Sequence, residues 1–262
     1  MARLRRKSMN YSIAFWTIVV KEVRRFARIW PQTLLPPAVT TSLYFLIFGK
    51  LIGDRIGVID GVSYMDYIVP GVILMSVISH SYTNVVSSFY STKFQRHIEE
   101  LLVSPIPNWV ILAGYVSGGI VRGIMVGGVV AVISLAFADI KVVHPGISMA
   151  VFILTATLFA LAGFINAVFA DSFDDIAIIP SFVLTPLSYL GGVFYSVAML
   201  PEIWQKISLG NPILYMINAF RYGLIGVTDV DIEIAFAITA GFIVVLTLLS
   251  LYLLNKGVGI KN

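Results

Sequence analysis

The chain has 262 residues, of which 58% are hydrophobic and 12% are charged, and its formal net charge is +4. Soluble domains carry about 25% charged residues, so this composition excludes an ordinary soluble domain and predicts an all-α integral membrane protein. The sequence contains no cysteine, which excludes disulfide bonds and thiolate metal sites.

The first predicted element, at about residues 10–30, is an amphipathic helix that lies along the cytoplasmic membrane interface. Its apolar stretch is only about 11 residues long before Lys21 and Glu22, and no cleavage site follows, so it is not a signal peptide. Basic residues resume from Arg24, on the side expected to face lipid headgroups. The face expected to contact acyl chains consists of Ile13, Phe15, Trp16, Val19, Val20, Val23 and Phe26.

Six transmembrane helices are predicted from the long apolar stretches of the chain. A helix needs about 20 mainly apolar residues to cross a bilayer, and a charge near its centre costs about 2.5 to 3.5 kcal/mol. The stretches that meet this requirement are residues 31–53, 66–91, 109–138, 147–170, 176–198 and 233–255, the third with one internal charge, Arg122.

The lysines and arginines indicate the orientation of these helices. Six spans place both termini on one side, and cytoplasmic termini put 12 of the 18 positive charges inside, against five outside. This bias follows the positive-inside rule and argues against nucleic acid as the partner of the basic residues. The inside residues are Arg3, Arg5, Arg6, Lys7, Lys21, Arg24, Arg25, Arg28, Lys93, Arg96, Lys256 and Lys261, and the outside ones are Lys50, Arg55, Lys141, Lys206 and Arg221.

The second span carries a stripe of polar residues. Spacings of three and four residues place them on one side of a helix. Such a stripe faces either neighbouring helices or a polar pathway, and the larger side chains of His80 and Asn84 favour the pathway. The residues that would line it are Ser76, His80, Thr83, Asn84 and Ser87.

Residues 93–104, after the second span, predict a short cytoplasmic amphipathic helix. Phe94, Ile98, Leu101 and Leu102 are spaced i, i+4, i+7 and i+8 and share one face. Pro105 ends the helix, because the residue before a proline disfavours the α conformation. The helix either rests on lipid or inserts into a groove on a partner.

Features of the third and fifth spans and of the segment after them indicate close packing and short helices. G-x-x-x-G spacings in the third span predict close approach of another helix, and Arg122 either contacts carbonyl groups or contacts substrate. Pro180 and Pro186 predict a kink in the fifth span. Residues 199–232 predict two helices too short to cross, with Pro201 at the first position of one of them.

Segments along the whole chain resemble ABC-2 type transporter permeases. KFQRHIEELLVSPIPNWVILAGYVSGG is similar to the coupling segment of that family. Four further segments match in order, namely RFARIWPQTLLPP, SYMDYIVPGVILMSVI, FDDIAIIPSFVLTPLSYLGGVFYSVAMLP and NPILYMINAFRYG. The resemblance implies that residues 93–104 form a coupling helix that docks on an ATPase subunit and that 199–232 form external re-entrant helices. It also implies a substrate route lined by the first, second and fifth spans at an interface between two permeases. The coupling residues would be Arg96, His97, Ile98, Glu99, Glu100, Leu101 and Leu102.

The expected function is therefore that of the permease subunit of an ATP-driven exporter, working as a homodimer with two ATPase subunits in a bacterial inner membrane. The sequence has no G-x-x-x-x-G-K-[ST] motif, so ATP and Mg²⁺ would bind the partner and this chain would not be an enzyme. The DSFDD segment at 171–175 is either a second ATPase contact or an ordinary loop. The alternative function, an ion-gradient-driven transporter or channel, would need intramembrane carboxylates, and no predicted span contains one at its core. A membrane-embedded enzyme is disfavoured, because His80, His97 and His144 lie on different elements and no metal-binding spacing occurs.

Overall fold

The computed structural model describes residues 10–259, without the side chains of Asp54 and Leu102. The basic residues at positions 3, 5, 6, 7 and 261, which entered the predicted charge bias, lie outside the described residues. The elements in chain order are α1 (Tyr11–Ala27), α2 (Trp30–Ile52, π-helical over Phe45–Ile52), α3 (Gly53–Ile56), the antiparallel strands β1 (Val58–Ile59) and β2 (Val62–Ser63), α4 (Tyr64–Phe94), α5 (His97–Val103), α6 (Asn108–Ser134), α7 (Pro145–Phe169), α8 (Asp175–Leu190), a 3₁₀ turn (Val197–Met199), α9 (Glu202–Leu209), α10 (Pro212–Ile225) and α11 (Ile232–Lys256).

Five of the described helices are long and apolar enough to cross a membrane, namely α2, α4, α6, α7 and α11. α6 ends at Ser134 rather than at residue 138, and the other four begin and end within a few residues of the predicted bounds. Long uncharged stretches therefore identify these helices correctly.

α8 is apolar but shorter than the predicted fifth span, because it ends at Leu190 rather than at residue 198. Gly191 and Gly192 follow, and Gly192 has a φ of 77°, a left-handed conformation that ends a helix. A π-helical turn over Pro180–Leu184 lies where the kink is predicted, since proline lacks the backbone donor of a regular helix.

α4 lies at the centre of the packing and contacts α6, α7 and α10. In the most apolar part of α4, 72% of the residues are buried, against 17% in α2 and in α11. α2 and α11 therefore keep most of their surface available to lipid or to another subunit.

α6 approaches α1 and α4 closely, as its glycine spacing predicts. A Cβ atom on Gly114 would lie 2.6 Å from Cγ2 of Ile18, and one on Gly118 would lie 2.5 Å from Cβ of Glu22. Equal steps along both helices show that α6 and α1 run parallel. α1 therefore extends alongside a helix long enough to span the membrane, instead of lying along the membrane interface as predicted. The glycines of α6 that face α4 are Gly119, Gly123 and Gly127.

Residues 199–232 contain the two predicted short helices, α9 and α10. Pro201 lies immediately before α9 instead of at its first position. Asn211 caps α10, because its Oδ1 accepts a hydrogen bond from the backbone nitrogen of Ile213 at 3.0 Å. Pro212 then occupies the first turn, where a missing backbone donor costs nothing.

Candidate functional site

A sharp break separates α5 from α4. Arg96 lies between the two helices with a φ of 62°, so the predicted single helix over 93–104 is divided. Lys93 and Phe94 belong to α4, and α5 begins at His97. α5 ends at Val103, and Ser104 after it has the extended backbone that a following proline requires.

The buried side of α5 packs on its own chain. Ile98 is only 1% exposed and belongs to the hydrophobic core, and Leu101 packs partly against that core. The expectation that Ile98 enters a groove on a partner is therefore wrong, since this residue anchors α5. The side chain of Leu102 lies outside the described residues. The exposed residues at α5 are Arg96, His97, Glu99, Glu100 and Val103.

The end of α4, just before α5, is joined to the loop after α7. Nζ of Lys93 donates hydrogen bonds to the carbonyl oxygens of Val168 at 2.9 Å and Ala170 at 2.8 Å. It also lies 3.8 Å from Oδ1 of Asp171. Carbonyl groups at the end of a helix lack partners within the helix, and Lys93 supplies one. We call α5 and the adjacent loop 171–175 the coupling surface.

Two phenylalanines project at the coupling surface. Phe94 is 63% exposed and Phe173 is 52% exposed, and their rings meet edge to face with centroids 5.3 Å apart. The loop is fixed by Asp175, whose carboxylate accepts hydrogen bonds from the backbone nitrogens of Asp171 at 3.0 Å and Ser172 at 2.9 Å. These backbone hydrogen bonds lower the pKa of Asp175, because they favour its charged form.

A cleft of about 240 Å³ opens between α2 and α4. Ser76 and His80, two of the predicted pathway residues, line it from α4. The hydroxyl of Tyr44, which also lines the cleft, lies 3.2 Å from the hydroxyl of Tyr189 on α8. The cleft therefore lies beside the first, second and fifth predicted spans. Its other lining residues are Pro36, Pro37, Thr40, Thr41, Val72, Met75 and Ser79.

The remaining predicted pathway residues do not line this cleft. Thr83 and Ser87 donate hydrogen bonds to carbonyl oxygens one turn earlier in α4, at 2.6 Å and 2.7 Å. Asn84 is fully buried, and its Oδ1 accepts a hydrogen bond from Nη2 of Arg25 at 2.7 Å. Some polar residues of the α4 stripe therefore line the cleft, others bond to carbonyl groups of α4 itself, and Asn84 binds α1.

A buried polar cluster, absent from the sequence prediction, joins α1 to α4. Glu22 is fully buried, and its Oε1 accepts a hydrogen bond from Oγ of Ser88 at 2.7 Å. Oε2 of Glu22 lies 3.4 Å from Nη2 of Arg25. The same Nη2 donates to the carbonyl oxygen of Asn84 at 2.9 Å. The cluster fixes the position of α1 against α4.

α1 consequently presents different faces from those predicted. Val19 and Phe26, expected to contact acyl chains, are 7% and 2% exposed and lie within the protein. The spacing in the sequence indicates that Glu22 is buried. It lies four residues after Ile18 and four before Phe26, on a helix face that is otherwise apolar. The exposed apolar residues of α1 that still suit lipid contact are Ile13, Trp16 and Val20.

Arg122 lies on α6 one turn after Gly118, on the side that packs against α1 and α4. Its Nε atom is buried and has no hydrogen-bond partner among residues 10–259. This nitrogen therefore does not make the carbonyl contact that one of the two predicted roles requires.

Arg221, counted as an outside charge in the prediction, is fully buried. Its Nη2 donates to the carbonyl oxygen of Gly192 at 2.5 Å, and its Nε donates to that of Tyr67 at 3.3 Å. Its guanidinium also lies 3.9 Å from the ring centre of Tyr67. Arg221 thus connects α10, the start of α4 and the segment after α8.

Comparisons with known proteins identify the family of the chain and several of its relatives. The family model of the ABC-2 type transporter matches residues 13–225. The chain is 54% identical over 253 residues to the inner membrane transport permease YadH of Escherichia coli strain K12, and this match covers 96% of the chain and 98% of that permease. It is 23% identical over 215 residues to nodulation protein J of Rhizobium leguminosarum bv. viciae, with 82% and 83% of the two chains covered.

The family match covers most of the chain, and the similarity to the Escherichia coli permease extends over nearly the full length of both proteins. Five described helices have the length and composition of membrane spans. The chain is a multi-pass protein of the bacterial inner membrane, and it belongs to the ABC-2 type transporter family.

Proposed function

We propose that the chain is the transmembrane permease subunit of an ATP-driven ABC exporter that moves an amphiphilic substrate outward. The observation that carries this proposal is the coupling surface, where α5 presents charged residues beyond the end of the most buried span. Ile98 and Lys93 attach this surface to the core and to α7. A force applied to α5 would therefore act on α4 and α7 together.

The partners in this proposal are two copies of a YadG-like ATPase subunit, which bind ATP and Mg²⁺, and a second permease copy that forms a homodimer. Six spans are too few to enclose a wide route, so the route would lie between two copies. Closure of the ATPases on ATP would move both coupling surfaces, and the interface between the permeases would then open outward.

The proposal requires α8 to cross the membrane as well, which gives six spans and places both termini in the cytoplasm. Two contacts support this placement. Phe173, just before α8, packs on Phe94 at the end of α4. Phe194, just after α8, accepts a hydrogen bond at its carbonyl oxygen from the hydroxyl of Tyr64 at the start of α4, at 3.0 Å. α8 thus extends between the two ends of a spanning helix, and α9 and α10 would be the external re-entrant helices.

The cleft between α2 and α4 is the proposed entrance of the substrate route. Its lining is mainly apolar, with hydroxyl groups and His80 on its walls, which suits an amphiphile. Tyr44 and Tyr189 join the cleft to α8. The cleft therefore opens on the three spans that the family resemblance associates with transport.

One observation bears on the alternative, an ion-gradient-driven transporter or channel. Such a protein needs a carboxylate that binds and releases an ion within the membrane. Glu22 is the one fully buried carboxylate among the described residues. It is already held by Ser88 and Arg25, which favours a structural role over ion transport.

Co-purification of the ATPase tests the proposed function. The tagged chain, expressed with its neighbouring genes, should retain an ATPase subunit, and the chain alone should not hydrolyse ATP. Reversing two exposed charges of α5, Glu99→Lys with Glu100→Lys, should remove the ATPase while the permease still inserts. This follows because charge pairs at an interface select the partner.

The matched control is Glu202→Lys with Glu233→Lys, which reverses two exposed charges at the opposite end of the helices. This variant should retain the ATPase. The proposal fails if no ATPase accompanies the wild-type chain, or if the isolated chain hydrolyses ATP.

A further inference from the structure

Three donor nitrogens between α1, α4 and α6 have no acceptor among the described residues. They are Nε of Arg25, Nδ2 of Asn84 and Nε of Arg122, and each is buried. A buried donor without a partner costs about 1 to 3 kcal/mol. Three such donors in one region are therefore a costly arrangement unless an acceptor from outside the chain binds there.

The register of the helices places the three donors at similar positions along the helix axes. A Cβ atom on Gly118 would lie 2.5 Å from Cβ of Glu22 and 3.5 Å from Nδ2 of Asn84. Arg122 lies one turn beyond Gly118, and Arg25 lies nearly one turn beyond Glu22 on the parallel helix α1. Arg122 and Arg25 therefore approach Asn84 from different helices.

The charge around these donors is positive. Glu22 is the nearby carboxylate, and Lys21, Arg25 and Arg122 are the cations. Both oxygens of Glu22 are already engaged, one by Ser88 and one by Arg25. The ligand that suits the region is an anion that accepts several hydrogen bonds, because arginine and amide donors bind phosphate and carboxylate groups strongly.

We propose that the anionic headgroup of an amphiphile binds between α1, α4 and α6, held by Arg25, Asn84 and Arg122. His80 lies one turn of α4 from Asn84 and lines the mainly apolar cleft, which provides space for an acyl chain beside the headgroup. The inference that this amphiphile is the exported substrate rests on the proposed function. Binding itself does not, because it requires only the permease.

Lipid selectivity of the permease tests this site. The full-length chain is reconstituted in phosphatidylcholine vesicles with a trace of spin-labelled phosphatidylglycerol or spin-labelled phosphatidylcholine, and the immobilised fraction of each is measured. The wild-type chain should prefer phosphatidylglycerol. Arg122→Gln should reduce this preference about tenfold, since a hydrogen bond to a charged group contributes at least that factor. Arg122→Lys should retain most of it.

The matched control is Arg55→Gln, which removes an equal charge from an exposed position of α3. Its effect should be less than about twofold, because exposed charges contribute little. Gel filtration checks assembly, and Arg25→Gln provides the same readout if Arg122→Gln does not assemble.

Three results would overturn the site. The first is equal binding of both lipids by the wild-type chain, and the second is an unchanged preference in assembled Arg122→Gln and Arg25→Gln. The third is full displacement of phosphatidylglycerol by inorganic phosphate, which would indicate a site for a free anion. Loss of ATPase binding is measured separately, so failure of the proposed function would not be mistaken for failure of this site.

Discussion

Arg221 holds together parts of the chain that are distant in sequence. It is fully buried, donates to the carbonyl oxygens of Tyr67 and Gly192, and lies 3.3 Å from Oδ1 of Asn218. Asn218 Oδ1 in turn accepts a hydrogen bond from the backbone nitrogen of Asp229 at 3.0 Å. One guanidinium group therefore fixes α10 against the start of α4 and the end of α8.

Arg221→Met should destabilise the permease by about 3 kcal/mol, because buried acceptors would lose a charged donor. The midpoint of thermal unfolding in detergent should fall by several degrees. Lys206→Met, on α9, removes an exposed charge and should leave the midpoint unchanged. Equal midpoints for the two variants would contradict the role assigned to Arg221.

Individual charged residues were the part of the molecule that the sequence predicted least well. An amphipathic pattern assigns charges to the outer side of a helix, yet Glu22 and Arg221 are fully buried. Their partners, Ser88 and Gly192, lie far away in the chain. Since these contacts exist only after the helices pack, no local pattern indicates them.

At the scale of elements, α5 depends on Ile98 for its position. Ile98→Ala should cost about 2 kcal/mol by leaving a cavity beneath the helix, and the backbone amides of α5 should then exchange hydrogen faster. Val103→Ala is the control, because Val103 is 86% exposed. If the backbone amides of α5 exchange as slowly in both variants as in the wild type, Ile98 is not the anchor.

Element boundaries were predictable where a charge or a proline sets them. The five long spans follow from the cost of charges in lipid, and α5 ends before Pro105 as expected. The end of α8 and the start of α5 were not predicted. They depend on left-handed backbone at Gly192 and Arg96, and the carbonyl of Gly192 is held by the distant Arg221.

At the scale of the whole molecule, the number of spans determines the side on which every loop lies. α8 has about 16 residues and is about 24 Å long at 1.5 Å per residue, which is shorter than a hydrocarbon core of about 30 Å. Residues 191–196 continue beyond it without regular helix. Arg221 and Tyr64 donate hydrogen bonds to two of their carbonyl groups, those of Gly192 and Phe194, and such partners allow irregular backbone within the protein at membrane depth.

Cysteine labelling tests whether α8 crosses, since the chain contains no cysteine of its own. Single substitutions Asp174→Cys and Glu202→Cys lie just before and well after α8, and both positions are exposed. With six spans, a membrane-impermeant maleimide added to cells with a permeable outer membrane should label Glu202→Cys and not Asp174→Cys. Val58→Cys and Val103→Cys, at opposite ends of α4, give the reference pattern for a crossing helix. Equal labelling at positions 174 and 202 would leave five spans, and the two termini would then lie on opposite sides of the membrane.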